Sequence, residues 1–356
     1  MDTQTKKLKI GIYNPYFDSL GGGERYVLTL AEHWSKTHDV SVFWDDKSML
    51  GSATDRFGLN LSKVKIAPNV FARRLLVRKL IESSSYDLIF FLSDGSVPTT
   101  LARHNIIHFQ VPFSTIPMTL WKARRYDGVV VNSEFTKNNI DKNLSLPVTV
   151  IYPPVEIPID KKTKKEKIIL SVGRFNALYG AKKQDVLIRA FGKMAKNKKS
   201  AGWKLVLAGG CLPTDMEYVG KLQKMAEGSG IEFQINCSYK TLEVLYAKAS
   251  IYWHAAGFGE TDPVRMEHFG MTTVEAMGAG CVPIVYNAGG QPEIVTEGVN
   301  GYLWNTPDEL ILRTLEVMKN DAAVKKLTVN AVKTSEKFSK EIFNRQYDVL
   351  LHSICK

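Results

Sequence analysis

Residues 267–290 read EHFGMTTVEAMGAGCVPIVYNAGG, and they decide how the second half of the chain folds. Glu267 and Glu275 stand eight residues apart across a Phe-Gly turn, where a loop gives way to a helix. Gly270 has no Cβ, so the backbone there can approach a ligand closely. Thr272 reads as the N-cap. The first turn beyond it offers unpaired N–H groups and the positive end of a helix dipole, which suits an anion such as a diphosphate. The helix stops in the Gly278/Gly280 region, residues 282–286 read as a strand, and Ala288-Gly289-Gly290 as its exit loop. Loop, helix, strand and glycine loop then face one pocket.

Working upstream, residues 251–254 read as a strand leading into this stretch, and residues 231–235, 204–207 and 168–172 as three more. Helical patterns separate them. One carries Leu187, Ala190, Phe191 and Met194 on a single face, another Leu242, Leu245, Tyr246 and Ala249. The first half repeats the arrangement. Residues 9–14 form a strand, a loop ends in Gly21-Gly22-Gly23, and a helix begins near Glu24 with Val27, Leu30, Ala31 and Trp34 buried. Residues 39–44, 87–92, 105–109 and 128–131 are short apolar runs of the kind found in buried parallel strands. Such alternation gives parallel sheets covered on both faces.

Between the halves, residues 148–151 are followed by YPPVEIP and DKKTKKEK. The prolines forbid regular helix and the lysines have no apolar period. The lysine run reads as a solvated linker or as a nucleic-acid tail. The expected division is residues 1–152, a linker at 153–166, a second domain at 167–337 and a closing helix at 338–356.

A length of 356 residues favours two domains. With 44% apolar and 23% charged residues, there is material for two cores. No run approaches the roughly 18 consecutive apolar residues of a spanning helix, and the start lacks the apolar core of a signal peptide. A cytoplasmic protein is expected. Cys211, Cys237, Cys281 and Cys355 lie far apart, without a C-x-x-C pair, and read as reduced structural thiols. The net charge of +11 favours an anionic partner, and its sign alone does not choose between nucleic acid, membrane and nucleotide-sugar.

The Glu267/Glu275 pair, the EHFG turn and the GG-x-x-E ending at Glu293 resemble the donor-sugar motif of retaining glycosyltransferases of family 4. Within that family, EHFG is similar to the branch holding dolichol-linked mannosyltransferases and polysaccharide-assembly enzymes. The resemblance implies an α/β protein of GT-B fold: two facing Rossmann-like, doubly wound parallel-sheet domains, with a C-terminal helix crossing back to the first.

It also implies roles. Ser171-Val-Gly-Arg174 and Lys182 resemble the family's Arg and Lys pair on the donor phosphates. Guanidinium and ammonium can take up the charge of a leaving diphosphate, and the chain contains no Asp-x-Asp, so no metal and no other cofactor is expected. Seven residues separate Arg174 from Lys182, and the phosphate lysine is Lys182 or Lys183. Glu275 would accept both ribose hydroxyls, or, as the end of a Thr272-Thr-Val-Glu275 capping box, bond back to the Thr272 N–H. Glu267 would hold a sugar hydroxyl and support charge at the anomeric carbon. The amides near Met271 and Thr272 would meet phosphate, and those of Gly289 and Gly290 sugar or phosphate.

In the first domain, Gly21, Gly22 and Gly23 resemble the family's glycine loop bordering the acceptor, or form a mobile surface loop. His108 sits where members carry a histidine near the transferred sugar, or is a packed core residue. Asp94 and Gly95 are acceptor-side candidates. Residues 71–81 (FARRLLVRKLI) are basic and apolar and suit an anionic membrane, yet their cations do not collect on one helical face, as in an ordinary domain helix.

The expected activity is transfer of a hexose, mannose from GDP-mannose above others, to a hydroxyl of a glycan or lipid-linked oligosaccharide. Peripheral membrane contact stays an open alternative, and nucleic acid is not expected. The rival readings are a nucleotide-sugar-binding subunit without turnover and a GT-B sugar-nucleotide epimerase.

Overall fold

The computed structural model describes residues 7–72, 75–156, 163–176 and 182–355. Its contacts divide the chain into two units, one comprising Met1–Pro154 and Lys340–Lys356, the other Val155–Ser339.

Among the described residues the first unit holds a seven-stranded sheet: β1 (Lys9–Tyr13), β2 (Asp39–Phe43), β3 (Lys65–Ala67), β4 (Leu88–Ser93), β5 (His104–Phe109), β6 (Gly128–Val131) and β7 (Val148–Val150). All pairs are parallel, in the order β3-β2-β1-β4-β5-β6-β7. The second unit holds six parallel strands: β8 (Glu166–Val172), β9 (Lys204–Gly209), β10 (Ile231–Ile235), β11 (Ala249–His254), β12 (Val282–Tyr286) and β13 (Tyr302–Trp304), in the order β10-β9-β8-β11-β12-β13. Both follow the 3-2-1-4-5-6 winding of a Rossmann sheet, the first with β7 added beyond β6, with a switch point between β1 and β4 in one and between β8 and β11 in the other.

The apolar runs form strands because both faces of each sheet are covered. Ile10, Ile12, Leu88 and Phe90 pack under the helix Gly22–Trp34, while Ile89, Phe91, Ile107 and Phe109 line the opposite core. In the second unit Ile169, Leu205, Leu207, Ile251 and Trp253 meet Leu187, Phe191 and Met194 of the helix Gln184–Met194. Three strands went unread in the sequence, β3, β7 and β13, each three residues long and at a sheet edge, and so did the helices Pro307–Val317 and Asp321–Ser335. The helix expected near Glu24 begins at Gly22.

The linker expected at 153–166 is shorter at both ends. The Val155 N–H donates to the Phe338 carbonyl at 2.8 Å within the second unit, and β8 already starts at Glu166. Residues 157–162 of that span, with part of the lysine run, lie outside the described residues. The helix Lys340–Ile354 returns to the first unit. It buries Phe343, Tyr347 and Leu351, pairs Lys340 Nζ with Glu32 Oε2 at 2.7 Å, and joins the Tyr347 and Tyr26 hydroxyls at 2.7 Å.

His108 belongs to this core and corrects the expectation that it lies beside a sugar. It is wholly buried in β5, its ring stacked on Tyr26 with centroids 4.3 Å apart. Its Nδ1 donates to the Val130 carbonyl at 3.1 Å, and its Nε2 is buried without a partner. Burial, only partly offset by the Val130 carbonyl, pushes its pKa down to about 3. The unfolded chain, with an ordinary value near 6.5, therefore binds more protons than the folded one between about pH 6.5 and 3. His108 makes stability fall as the pH is lowered through that window, by up to about 1.4 kcal/mol per pH unit. Denaturant unfolding at pH 7 and pH 5 should show a smaller acid loss in His108→Phe than in the native chain; equal losses would remove this role.

Candidate active site

Strand β8 ends at Val172 and its neighbour β11 at His254, so both carboxyl ends open at the switch point, where ligands bind in sheets of this kind. Beyond β8, the Gly173 N–H donates to the Ala208 carbonyl at 2.9 Å and the Phe175 N–H to Gly210 at 2.8 Å. Arg174 is thereby held at the strand end with its side chain exposed, while its carbonyl accepts from Gln184 Nε2 at 3.0 Å.

Lys182 lies over Gly173. A Cβ at residue 173 would stand 2.6 Å from Lys182 Cγ, so the missing side chain opens the path by which Lys182 Nζ reaches Glu267 Oε2, 2.6 Å away. Gly173→Ala should displace Lys182 and weaken nucleoside-diphosphate binding by roughly tenfold or more. Isothermal titration checks this, with an unchanged Kd as the contrary result.

The same oxygen of Glu267 meets the buried imidazole of His254 at 3.0 Å. Gln291 Nε2 faces His254 Nδ1 at 3.5 Å, which leaves the ring proton on Nε2, pointing at the carboxylate. The Trp304 indole N–H fixes the His254 carbonyl at 3.2 Å. Burial alone would raise the Glu267 carboxyl, but Lys182 and His254 together outweigh it and hold the group well below the usual carboxylate range. Glu267 is a fixed anion. His254→Gln, which can present an N–H from a similar distance, should retain more activity than His254→Ala; equal losses in the two would deny the imidazole this positioning role.

Glycines bring the two loops together. The Gly290 N–H donates to the Glu267 carbonyl at 2.8 Å. A Cβ on Gly289, whose φ is +65°, would lie 2.1 Å from that carbonyl oxygen, and one on Gly290 would lie 2.5 Å from the His268 oxygen. Gly270, at φ +114°, leaves room for Gln291, whose Nε2 would be 2.5 Å from a Cβ. These positions clamp the Glu267 turn, and the Gly290 amide is engaged there rather than turned to a ligand.

The helix Met271–Gly278 starts directly after Gly270, which is its N-cap. Thr272, expected as the cap, lies inside the first turn, because the left-handed backbone of Gly270 stops the helix two residues earlier. The Met271 and Thr272 amides thus belong to the turn whose N–H groups have no intrahelical acceptor. With the N-cap at Gly270, the capping-box register read for Glu275 does not apply. Glu275 is buried and accepts from the Tyr246 hydroxyl at 2.8 Å, and Thr272 Oγ1 accepts from Tyr252 at 2.7 Å. Burial pushes both phenols up, so they remain donors.

Lys183 caps its helix in the left-handed region at φ +54° and pairs with Glu260 at 2.5 Å. Of the two adjacent lysines, Lys182 is the one brought to Glu267. Residues 177–181 of the intervening loop lie outside the described residues.

In the first unit, Gly21 N–H and Ser19 Oγ both donate to Glu24 Oε2, at 2.6 and 2.9 Å, and Asn14 Nδ2 to Glu24 Oε1 at 2.9 Å. This buried carboxylate shapes the loop Gly21-Gly22-Gly23 at the β1 end of that unit's switch point. Asp94, just beyond β4, sits near Tyr13 and Tyr16; burial and then Asp94 push the Tyr13 phenol up to about 12. Sequence reasoning missed His254, Gln291, Tyr246, Tyr252 and Gly173. Among the described residues no cluster of three His, Cys, Asp or Glu side chains is placed to hold a metal ion.

Two family models match in sequence. Residues 155–337 match the glycosyl transferases group 1 and residues 20–157 match glycosyltransferase family 4. The chain belongs to the group 1 glycosyl transferases. A GDP-Man:Man(3)GlcNAc(2)-PP-Dol alpha-1,2-mannosyltransferase of Mus musculus is 34% identical over 184 residues, 46% of this chain and 35% of its own length. The protein of the same description in Dictyostelium discoideum is 26% identical over 291 residues, 75% of this chain and 54% of its own. The chain thus spans from about a third to just over half of these curated relatives. Among solved structures, a glycosyltransferase from Rickettsia africae superposes with a TM-score of 0.75 at 17% identity, over 99% of this chain and 100% of that one. Anabaena HepE, solved with UDP and glucose, gives 0.70 at 19% identity over 98% and 100%. These likenesses establish a GT-B fold for this group 1 glycosyl transferase. Among its described residues no helix is long and apolar enough to cross a membrane.

Proposed function

We propose that the chain transfers a hexose, with retention and without a metal, from a nucleotide-sugar to a hydroxyl of a glycan or lipid-linked oligosaccharide. Mannose from GDP-mannose is the preferred donor reading. The observation that carries it is the cluster of Lys182, Glu267 and His254 beyond β8 and β11, in a group 1 glycosyl transferase. The names of the mannosyltransferase relatives support the sugar and the lipid-linked acceptor.

In this reading Arg174 and Lys182 take up the charge of the departing diphosphate, and the amides of Met271 and Thr272 receive its phosphates. Glu275 accepts the ribose hydroxyls and Glu267 a sugar hydroxyl. The bond from the anomeric carbon to the diphosphate breaks, the acceptor oxygen bonds on the same face, and its proton passes to the leaving phosphate oxygen. Fixed charges aimed at developing charge supply the acceleration.

The test is incubation with GDP-mannose or UDP-glucose, with and without a lipid-linked oligosaccharide, followed by mass spectrometry. An acceptor one hexose heavier, formed with EDTA present, is the expected product. An altered nucleotide-sugar without acceptor would mean epimerisation, and unchanged reactants despite tight binding would mean a subunit without turnover.

A further inference from the structure

Of the ten residues of the helix Tyr239–Lys248 only Tyr246 is buried. Its hydroxyl donates to Glu275 Oε2 at 2.8 Å, and burial keeps that proton on the phenol. The backbone behind it is fixed as well. Lys165 Nζ donates to the Tyr246 carbonyl at 3.1 Å and to the Ala279 carbonyl at 2.6 Å, and Cys281 Sγ meets the same Tyr246 carbonyl at 3.4 Å. Ala279 is the C-cap of the helix Met271–Gly278, so one ammonium ties the element bearing the phenol to the element bearing the carboxylate.

Thr272 and Glu275, three residues apart, share one face of the helix Met271–Gly278. Each meets a different buried phenol. Tyr252 of β11 donates to Thr272 Oγ1 at 2.7 Å, and its oxygen lies 3.4 Å from the Val172 carbonyl at the end of β8. Tyr252 therefore braces the first helical turn, beside the amides of Met271 and Thr272, while Tyr246 braces the carboxylate a turn further on.

A glutamate side chain turns about three bonds, and a ligand that captures a freely turning carboxylate bears the cost of stopping it. The Tyr246 hydrogen bond already restrains Glu275 in the folded chain. A buried acceptor of set direction favours a ligand that brings hydroxyls to it. It disfavours one that does not, because the acceptor then loses water without a replacement.

We infer that Tyr246 is the positioning residue of the ribose carboxylate, and that through it the site selects ribonucleotides over deoxyribonucleotides. The inference rests on the reading of Glu275 as acceptor of the ribose hydroxyls. In this assignment Tyr246 touches no reacting atom. It acts on recognition of the donor nucleoside, and the diphosphate end is left to Arg174, Lys182 and the helix amides.

The experiment is isothermal titration of the full chain with GDP and UDP, each beside its 2′,3′-dideoxy analogue, which keeps base and diphosphate and lacks both hydroxyls. The native chain should bind the ribonucleotide tighter by on the order of a hundredfold. Tyr246→Phe removes one oxygen and keeps the ring. It should weaken the ribonucleotide about tenfold and leave the dideoxy analogue near its native Kd, so that most of the preference is lost. Tyr252→Phe, whose hydroxyl serves Thr272, should keep the native preference whatever it does to affinity. Lys165→Met, which frees the Tyr246 carbonyl and spares the phenol, should shrink the preference by a smaller factor, and it carries the test if Tyr246→Phe does not fold. A purely structural Tyr246 would lower both affinities alike, and that result overturns the inference. So does an undiminished preference in these Tyr246 and Lys165 variants, or a loss of preference in Tyr252→Phe as large as in Tyr246→Phe. If instead the native chain binds ribonucleotide and dideoxy analogue equally, or binds neither, the ribose reading of Glu275 falls and takes the inference with it.

Discussion

Replacing Glu267 with Ala lowers glycosyl transfer by on the order of 10²–10³ while the chain stays folded. The carboxylate is held from two sides by Lys182 at 2.6 Å and His254 at 3.0 Å, and burial is overcome so that it remains ionised. Its removal leaves Lys182 without its anion and the buried His254 N–H without its acceptor. Some stability is lost too, about 1–3 kcal/mol for an orphaned buried donor. Glu267→Gln keeps shape and acceptor oxygen but not charge, and it should restore most of the stability and little of the turnover. Steady-state kinetics beside denaturant unfolding separates the two effects. Activity of the Ala variant within about threefold of native would remove Glu267 from the reaction.

Gly289→Ala has the largest expected effect on the fold around the site. Its backbone lies at φ +65°, where an L-residue costs about 1–2 kcal/mol. The new methyl would also stand 2.1 Å from the Glu267 carbonyl oxygen, a backbone atom that cannot turn aside. The two loops must part, which breaks the Gly290 to Glu267 hydrogen bond and moves the carboxylate from Lys182. A loss of at least about 3 kcal/mol and near-complete inactivity follow. Gly298 has a similar φ of +68° with open space around it, so Gly298→Ala should show the backbone penalty without the inactivity. Equal behaviour of the two variants would mean that the clash at residue 289 is relieved at little cost.

The long buried strands were legible because residues such as IFFLS and IILSV are apolar on both faces, a pattern only a covered parallel sheet accommodates. Strands β3, β7 and β13 were not, since KIA, VTV and YLW are too short to show a period. Within the site, Glu267 and Glu275 are legible as a carboxylate pair across the EHFG turn, and Arg174 and Lys182 only through the resemblance to family 4 glycosyltransferases. His254 and Gln291 do not, because their meaning comes from β11, the EHFG turn and the glycine loop converging in space. His108 and His254 carry the same local signal, a histidine at the end of a strand. One lies inward against Tyr26, the other is the last residue of β11 and faces a carboxylate, and only tertiary packing tells them apart. The Thr272 cap was misplaced for a related reason: Gly270 takes a φ of +114° with Gln291 lying where a Cβ would stand, an arrangement made only in the folded chain.

The most direct test of the central claim is thermal unfolding of the native chain and of Lys182→Ala against GDP, UDP, ADP and CDP, with NAD as control. A diphosphate at about a hundred times its Kd stabilises by roughly 2.7 kcal/mol and should raise the midpoint by a few degrees. The account predicts that one nucleoside diphosphate, GDP above the others, shifts the native protein and shifts Lys182→Ala much less. If no diphosphate moves the midpoint of the folded native chain, the Lys182, Glu267 and His254 cluster is not a nucleotide-sugar site, and the likeness to group 1 glycosyl transferases is one of fold alone.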